Sequence, residues 1–191
     1  DSRYFNREGR YDSLGAYQSV ESPYYGWYRF RDHPDDYECW WNVDVLPNVN
    51  ELEPSYLDFI IRDGDSVLRH WMDAGASGWR LDVADELPDP FIRQFYAAMK
   101  KADPESLLLG EVWEDASNKV SYGARRPYLL GDMLDSVMNY PFREMVIECL
   151  TGQVSVRQTH LQMVTLREHY PTEHFYGALN LVGSHDTSRI L

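Results

Sequence analysis

Apolar positions change their period along the chain, and this change divides it into two parts. Residues 1–50 show no helical period and carry many glycine, proline, aspartate and tyrosine residues, a composition typical of loops and turns. After Pro54, apolar side chains recur at helical spacing as far as Met72. Because proline suits the first turn of a helix, the sequence predicts one helix over 54–72, ended by the AGAS segment at 74–77.

Beyond residue 77, short apolar runs alternate with helical patterns. Strands are predicted over 78–83, 107–113, 133–139 and 178–184. Helices are predicted around 91–99, over 141–150 and, from a weaker pattern, over about 155–169. This alternation is typical of a parallel sheet with crossover helices, so the predicted fold class is α/β.

Composition excludes several classes of protein. The 191 residues have a formal net charge of −13, which disfavours nucleic acid as a partner but is compatible with a neutral ligand. A hydrophobic fraction of 43% is ample for a packed core. The sequence has no apolar run of about 18 residues, so no membrane span is expected. Cys39 and Cys149 make neither a disulfide framework nor a metal cluster. One bridge between them stays open, although two buried thiols are preferred.

Aromatic residues are abundant, at 14% of the chain, and many of them lie in residues 1–50. Such rings offer stiff apolar faces that can lie against the C–H faces of a sugar. They can equally form the core of a small irregular segment. Both interpretations stay open.

Charged side chains stand at the ends of three of the predicted strands. Arg80 and Asp82 are two residues apart and therefore share a face, where the arginine keeps the aspartate ionised and suited to act as a nucleophile. Glu111 ends the next strand, among apolar neighbours that favour the protonated acid. His185 and Asp186 follow the last strand as half of a catalytic dyad or as a capped turn. A structural ion pair is the alternative for Arg80 and Asp82, and a buried structural glutamate is the alternative for Glu111.

The spacing of the three acids joins them into one pattern. Asp82 and Glu111 are 29 residues apart, and Asp186 follows 75 residues later. A (β/α)8 barrel averages roughly 31 residues per βα unit, so all three acids would lie at the C-terminal rim, where such barrels keep their active sites. Two flanking carboxylates are what glycoside hydrolysis requires. A retaining mechanism predicts that the carboxyl groups of Asp82 and Glu111 lie about 5–5.5 Å apart.

Three segments resemble conserved regions of the α-amylase superfamily of glycoside hydrolases: GWRLDVADE (78–86), LLLGEVWED (107–115) and LVGSHDTSR (181–189). DVLPNVNE (44–51) is similar to a further region, often MPKLN, late in the inserted B domain of that family. VMNYPFRE (137–144) looks most like the neopullulanase, cyclomaltodextrinase and maltogenic amylase branch. The resemblance covers essentially the whole chain.

The resemblance implies a domain division. Residues 1–52 correspond to an irregular, aromatic-rich B-domain remnant, and residues 53–191 to part of a (β/α)8 barrel, about strands 4–7 with their helices. An early region of the family, ending in Asn-His, has no counterpart before residue 50. We therefore expect a fragment of a larger enzyme that is inactive or weakly active by itself. Its exposed barrel edges predict self-association.

The resemblance also implies a role for each acid. Asp82 matches the nucleophile, Glu111 the general acid/base, and Asp186 the acid that stabilises the transition state. Arg80 and His185 match residues that support the nucleophile and grip the sugar.

Other residues complete the implied substrate site. Asp85 and Glu86 lie where the branch usually has Asn-Glu, which implies contact with the leaving-side sugar, and Trp113 is assigned to the same substrate site. The expected partner is an α-glucan oligosaccharide or polysaccharide. No cofactor is expected, and a calcium site of a full-length enzyme is not assignable here.

Rival functions use related machinery. A transglycosylase or an α-glucosidase of the superfamily would share the three acids. A carbohydrate-binding relative need not keep all of them, so their presence argues against that class. The six histidines show no HxH or HxxxH spacing, which weakens a metal-dependent barrel.

Overall fold

The computed structural model describes residues 1–190. They form two compact units, with the boundary after Val67. The predicted domain division between residues 52 and 53 stays a prediction. No helix among the described residues combines the length and the apolar character that crossing a membrane requires.

The first unit has little regular structure, as its composition predicts. Strands β1 (Phe30–Asp32) and β2 (Asp36–Tyr37) form an antiparallel ribbon. Single 3-10 turns lie at Tyr25–Trp27 and Trp40–Asn42. The core of this unit is built on Phe5, Ala16 and Tyr37, with further rings packed against them. For this cluster, the interpretation of the aromatic residues as core is confirmed.

The single helix predicted over 54–72 is wrong. Helix α1 (Pro54–Leu57) continues into a π-helical turn at Asp58–Arg62, which ends because Asp63 takes an extended backbone with ψ 156°. Helix α2 (Val67–Asp73) begins after this break. The segment 63–66, Asp-Gly-Asp-Ser, consists of turn-forming residues, and these override the apolar period on either side.

The second unit contains the predicted parallel sheet. Its strands are β3 (Gly78–Leu81), β4 (Leu107–Gly110), β7 (Ser136–Asn139) and β8 (Leu179–Asn180), in the order β3-β4-β7-β8, and all neighbours are parallel. This confirms the α/β class. Among residues 1–190 the sheet has four strands with β3 and β8 at its edges, so an eight-stranded barrel stays a prediction.

Helices connect β3 to β4 and β7 to β8. They are α3 (Asp89–Ala102), α4 (Tyr140–Leu150), α5 (Val156–His169) and α6 (Thr172–Tyr176). Phe91, Ile92, Phe95 and Met99 form the buried stripe of α3. Helix α6 escaped the sequence pattern because it spans only five residues, which is too short for a helical period to show.

The strands are shorter than predicted. β3 ends at Leu81 because Val83 takes a left-handed backbone with φ 40°, which turns the chain out of the sheet. The segment 114–131, predicted as a loop, contains a hairpin of β5 (Val120–Ser121) and β6 (Ala124–Arg125). Both cysteines are free, as preferred, but they are half-buried rather than buried.

Register aligns the ends of the first two parallel strands. Gly78 pairs with Leu107, and Leu81 pairs with Gly110. The close pairing depends on a small residue, since a Cβ atom on Gly78 would lie 2.3 Å from the Leu107 carbonyl oxygen. The residues that follow β3 and β4 therefore emerge at the same edge of the sheet.

Candidate active site

Glu111 directly follows β4, and its side chain is only 4% exposed. Four donors surround the carboxylate. Oε2 accepts the Val83 backbone N–H at 2.9 Å and faces Arg80 Nη2 at 3.0 Å. Oε1 accepts Trp113 Nε1–H at 3.3 Å and the Tyr140 hydroxyl at 3.5 Å. These partners offset the cost of burying a carboxylate and fix both of its oxygens.

Arg80 joins Glu111 to Asp82. Its Nη1 lies 2.5 Å from Asp82 Oδ1, so the two guanidinium nitrogens hold one carboxylate each. Burial lowers the pKa of Arg80, but the hydrogen bond to Asp82 and the charge of Glu111 outweigh it, and the net pKa is raised. The environments of the two acids differ, because the side chain of Asp82 is 72% exposed whereas Glu111 is buried. The 5–5.5 Å carboxyl separation stays a prediction.

Tyr140 is a site residue that sequence reasoning missed. Tyr140 directly follows β7, as Glu111 directly follows β4. Its position after a predicted strand is the feature of the sequence that could have identified it. Its ring stacks on Trp113, with centroids 4.2 Å apart and planes 7° from parallel. Trp113 is 47% exposed, so an aromatic face remains open beside Glu111.

Asp186 and His185 lie after β8 and are exposed. His185 Nε2 and Asp186 Oδ2 are 3.1 Å apart. The backbone N–H of Asp186 donates to Ser184 Oγ at 3.2 Å, so the segment combines the contact between His185 and Asp186 with a capped turn. The hydroxyls of Ser184 and Tyr140 lie 3.4 Å apart. Burial raises the pKa of Tyr140, as do the charges of Glu111 and Asp186, which therefore act on one hydroxyl.

Asp85 and Glu86 face the segment that follows Trp113. Asp85 Oδ1 accepts the Tyr128 hydroxyl at 2.6 Å, and Asp85 Oδ2 pairs with Lys119 Nζ at 3.0 Å. Glu86 accepts the Tyr122 hydroxyl at 2.6 and 2.7 Å from its two oxygens. Contact of either acid with a sugar stays a prediction.

The site has no metal cluster within the described part of the chain. Across residues 1–190, no group of three or more histidine, cysteine, aspartate or glutamate side chains is arranged to hold a metal ion. The paired acids can act as a nucleophile and a proton donor towards a bond held between them.

Known proteins are similar to this chain in sequence and in fold. The family model for the α-amylase catalytic domain matches residues 28–191. Amylopullulanase of Thermoanaerobacterium saccharolyticum is 37% identical over all of this chain and 16% of its own length. Neopullulanase 2 of Thermoactinomyces vulgaris is 34% identical over 98% of this chain and 32% of its own length. The chain thus spans less than a third of either relative.

Solved structures of related enzymes have a similar fold. The cyclic α-maltosyl-(1→6)-maltose hydrolase of Arthrobacter globiformis, in complex with maltose, superposes with a TM-score of 0.78. Its sequence is 27% identical, and the match covers 91% of this chain and 38% of that chain. The type III pullulan hydrolase of Thermococcus kodakarensis superposes with a TM-score of 0.78 over 91% of this chain and 30% of that chain, at 29% identity. Since the family model for the catalytic domain matches most of the chain, the protein belongs to the α-amylase family.

Proposed function

We propose that this chain carries the acidic centre of an α-glucan hydrolase that cleaves α-1,4-glucosidic bonds with retention of configuration. One observation carries the proposal: Arg80 contacts both Asp82 and Glu111, which follow two parallel strands whose ends are in register. Retaining cleavage needs two carboxyl groups held close together and in different protonation states. An exposed acid and a buried acid on one guanidinium supply that difference in environment.

The proposed reaction has two steps. Asp82 attacks the anomeric carbon while Glu111 donates its proton to the glycosidic oxygen, so the C–O bond breaks and a glycosyl ester on Asp82 forms. Glu111, now a carboxylate, takes a proton from water, whose oxygen attacks the same carbon and releases Asp82. Arg80 stabilises the negative charge on whichever carboxylate is ionised at each stage.

Asp186 and His185 complete the proposed centre. A third carboxylate on the same rim would accept hydrogen bonds from sugar hydroxyls and stabilise the positive charge of the oxocarbenium-like transition state. The charges of Glu111 and Asp186 both raise the pKa of Tyr140, which supports a position of the two acids around the same hydroxyl. No step requires a cofactor.

The proposed substrates follow from the names of the relatives. The relatives include amylopullulanase, neopullulanase, maltogenic α-amylase and cyclomaltodextrinase. Starch, pullulan, cyclodextrins and maltooligosaccharides are therefore the substrates to test. If a sugar hydroxyl replaces water in the second step, the same centre performs transglycosylation, as in the alternative of a transfer enzyme or an α-glucosidase.

The test compares matched variants of the full-length protein. Asp82→Asn and Glu111→Gln should each lower kcat/KM on the preferred glucan by at least about a thousandfold. Asp132→Asn removes another aspartate paired with an arginine, Arg93 at 2.9 Å, and should leave the activity intact. NMR of the first product should show the α-anomer. Substantial activity of Asp82→Asn, or a β-anomeric first product, would overturn the proposal.

Self-association of the isolated chain belongs to the same proposal. Strands β3 and β8 each have one unpaired side among the described residues, and open strand edges favour pairing with another chain. Light scattering of the 191-residue chain at micromolar concentration should find species larger than a monomer. A monomer that stays clean at this concentration would contradict the expectation. The activity of the isolated chain is expected to be weak or absent.

A further inference from the structure

Tyr122 stands at the tip of the β5–β6 hairpin, where its side chain is 78% exposed. Although the ring is open to solvent, its hydroxyl is fixed, because it donates to the carboxylate of Glu86 at 2.6 and 2.7 Å. A large aromatic face is thereby held in one orientation next to a carboxylate. This combination of an apolar face and a fixed acceptor suits a sugar ring, which presents both C–H groups and hydroxyls.

The backbone at Tyr122 is unfavourable for this residue type. Tyr122 has φ 51° and Gly123 has φ 77°, so both central residues of the two-residue turn lie in the left-handed region, the pattern of a type I′ turn. Asparagine, aspartate or glycine is favoured at the first of these positions, and a bulky side chain there is an outlier. Turn formation therefore does not explain the tyrosine, and an outlier of this kind points to function.

The hairpin that carries Tyr122 is firmly held. Arg126, which is 7% exposed, donates to the carbonyl oxygens of Asp85 at 2.8 Å and Leu87 at 2.6 Å, and to Asp89 Oδ1 at 2.8 Å. These bonds, with those of Lys119 and Tyr128 to Asp85, fix the hairpin to the segment that follows β3. Tyr122 is thus presented by a rigid support.

This support is continuous with the acid centre. Glu86 ends the single helical turn Ala84–Glu86. At the start of that turn, the backbone N–H groups of Val83 and Ala84 donate to Glu111, to its carboxylate at 2.9 Å and its carbonyl oxygen at 3.1 Å, respectively. One short segment therefore links the proposed proton donor to the Glu86–Tyr122 pair. The sugar that receives the proton of Glu111 is the one on the leaving side of the bond.

We propose that Tyr122 determines specificity on the leaving side, where its ring stacks on an α-glucosyl unit and its hydroxyl holds Glu86 ready to accept a hydrogen bond from that sugar. The inference rests on the proposed function and extends it to a residue outside the acidic centre. The same α-glucosyl unit binds as the acceptor when the glycosyl-enzyme is transferred to sugar instead of water. Tyr122 therefore favours transfer as well as cleavage of longer chains.

The test separates leaving-side binding from the chemistry by using two substrates with the full-length protein. Maltohexaose places sugar on both sides of the cleaved bond, whereas α-maltosyl fluoride places none on the leaving side. In Tyr122→Asn, the ratio of kcat/KM for maltohexaose to that for α-maltosyl fluoride should fall about tenfold. Tyr122→Phe keeps the ring but loses the bonds to Glu86, so the ratio should fall by a smaller factor. The yield of transfer products should fall in both.

Controls distinguish this role from a structural one. Asparagine suits the left-handed turn position, so Tyr122→Asn should melt at or above the wild-type Tm. Tyr176→Asn, at a tyrosine 69% exposed on α6, should leave the ratio within about twofold of wild type. An unchanged ratio in Tyr122→Asn, or an equal loss on both substrates, would overturn the proposal. If the wild type cleaves neither substrate, the proposed function itself fails.

Discussion

Replacing Arg80 by methionine tests the electrostatic design of the site. The change keeps a long apolar stem but removes the cation that Asp82 and Glu111 share. At an effective dielectric constant of 20, the 3.0 Å approach to Glu111 corresponds to an attraction of about 5.5 kcal/mol. Desolvation of the guanidinium cancels part of this, which leaves an expected loss of stability of about 3 kcal/mol.

Glu111 accounts for nearly all of that loss. Asp82 is 72% exposed and recovers its hydration when the arginine is removed, so its share is within the range of surface pairs, below about 1 kcal/mol. Glu111 is 4% exposed and cannot recover hydration. The cost should therefore shrink when Glu111 is replaced by glutamine, because the buried site then holds no charge to be left unpaired.

Urea denaturation at pH 7 of wild type and Arg80→Met, each with and without Glu111→Gln, measures this difference. Arg69→Met, which breaks an exposed pair with Asp73 at 2.8 Å, is the matched control and should cost less than about 0.5 kcal/mol. In a Glu111→Gln background, Arg80→Met should cost about 2 kcal/mol less than in the wild type. A loss below about 1 kcal/mol in the wild type, or an equal loss in the Glu111→Gln background, would refute the reasoning.

Three further substitutions test other features. Burial raises the pKa of Tyr170 to about 12. The stability that the neutral phenol contributes is therefore full below about pH 10 and is lost as the pH rises to 12. Tyr170→Phe should reduce this loss at alkaline pH by about 2–3 kcal/mol, followed by measuring Tm against pH. Asn139 caps α4 through the Phe142 N–H at 3.1 Å, and Asn139→Ala should cost about 1–2 kcal/mol in urea denaturation. Gly78→Ala forces a Cβ to within 2.3 Å of the Leu107 carbonyl oxygen and should lower Tm by several degrees, whereas Gly64→Ala, in open space, should not.

Local sequence predicted the parallel sheet and the positions of the acids. The runs at β3 and β4 are short, apolar and separated by a clear helical pattern, and each is followed by a carboxylate. Parallel strands run in the same direction and are joined by crossover connections, so their carboxyl ends lie at the same edge of the sheet. That rule alone brings Asp82 and Glu111 to the same edge of the sheet.

Local sequence failed where turn residues or distant partners override the period. Four turn-forming residues broke the helix predicted over 54–72. The β5–β6 hairpin lies in a polar segment without alternation, and it is held by Arg126 through bonds to residues 37 to 41 positions away. No local pattern carries such information.

The sequence by itself determined the fold class, the family and the acids that are candidates for the chemistry, because these depend on period, spacing and residue type. Only the tertiary structure decided how the acids are paired. It placed Arg80 between Asp82 and Glu111, set Tyr140 against Glu111 and fixed Tyr122 to Glu86. Apart from the Arg80–Asp82 pair, which the sequence predicted, these contacts join residues that lie 29 to 36 positions apart in the chain. Their geometry follows from strand register and from the left-handed turn at Val83, which position side chains in space in ways that chain order does not encode.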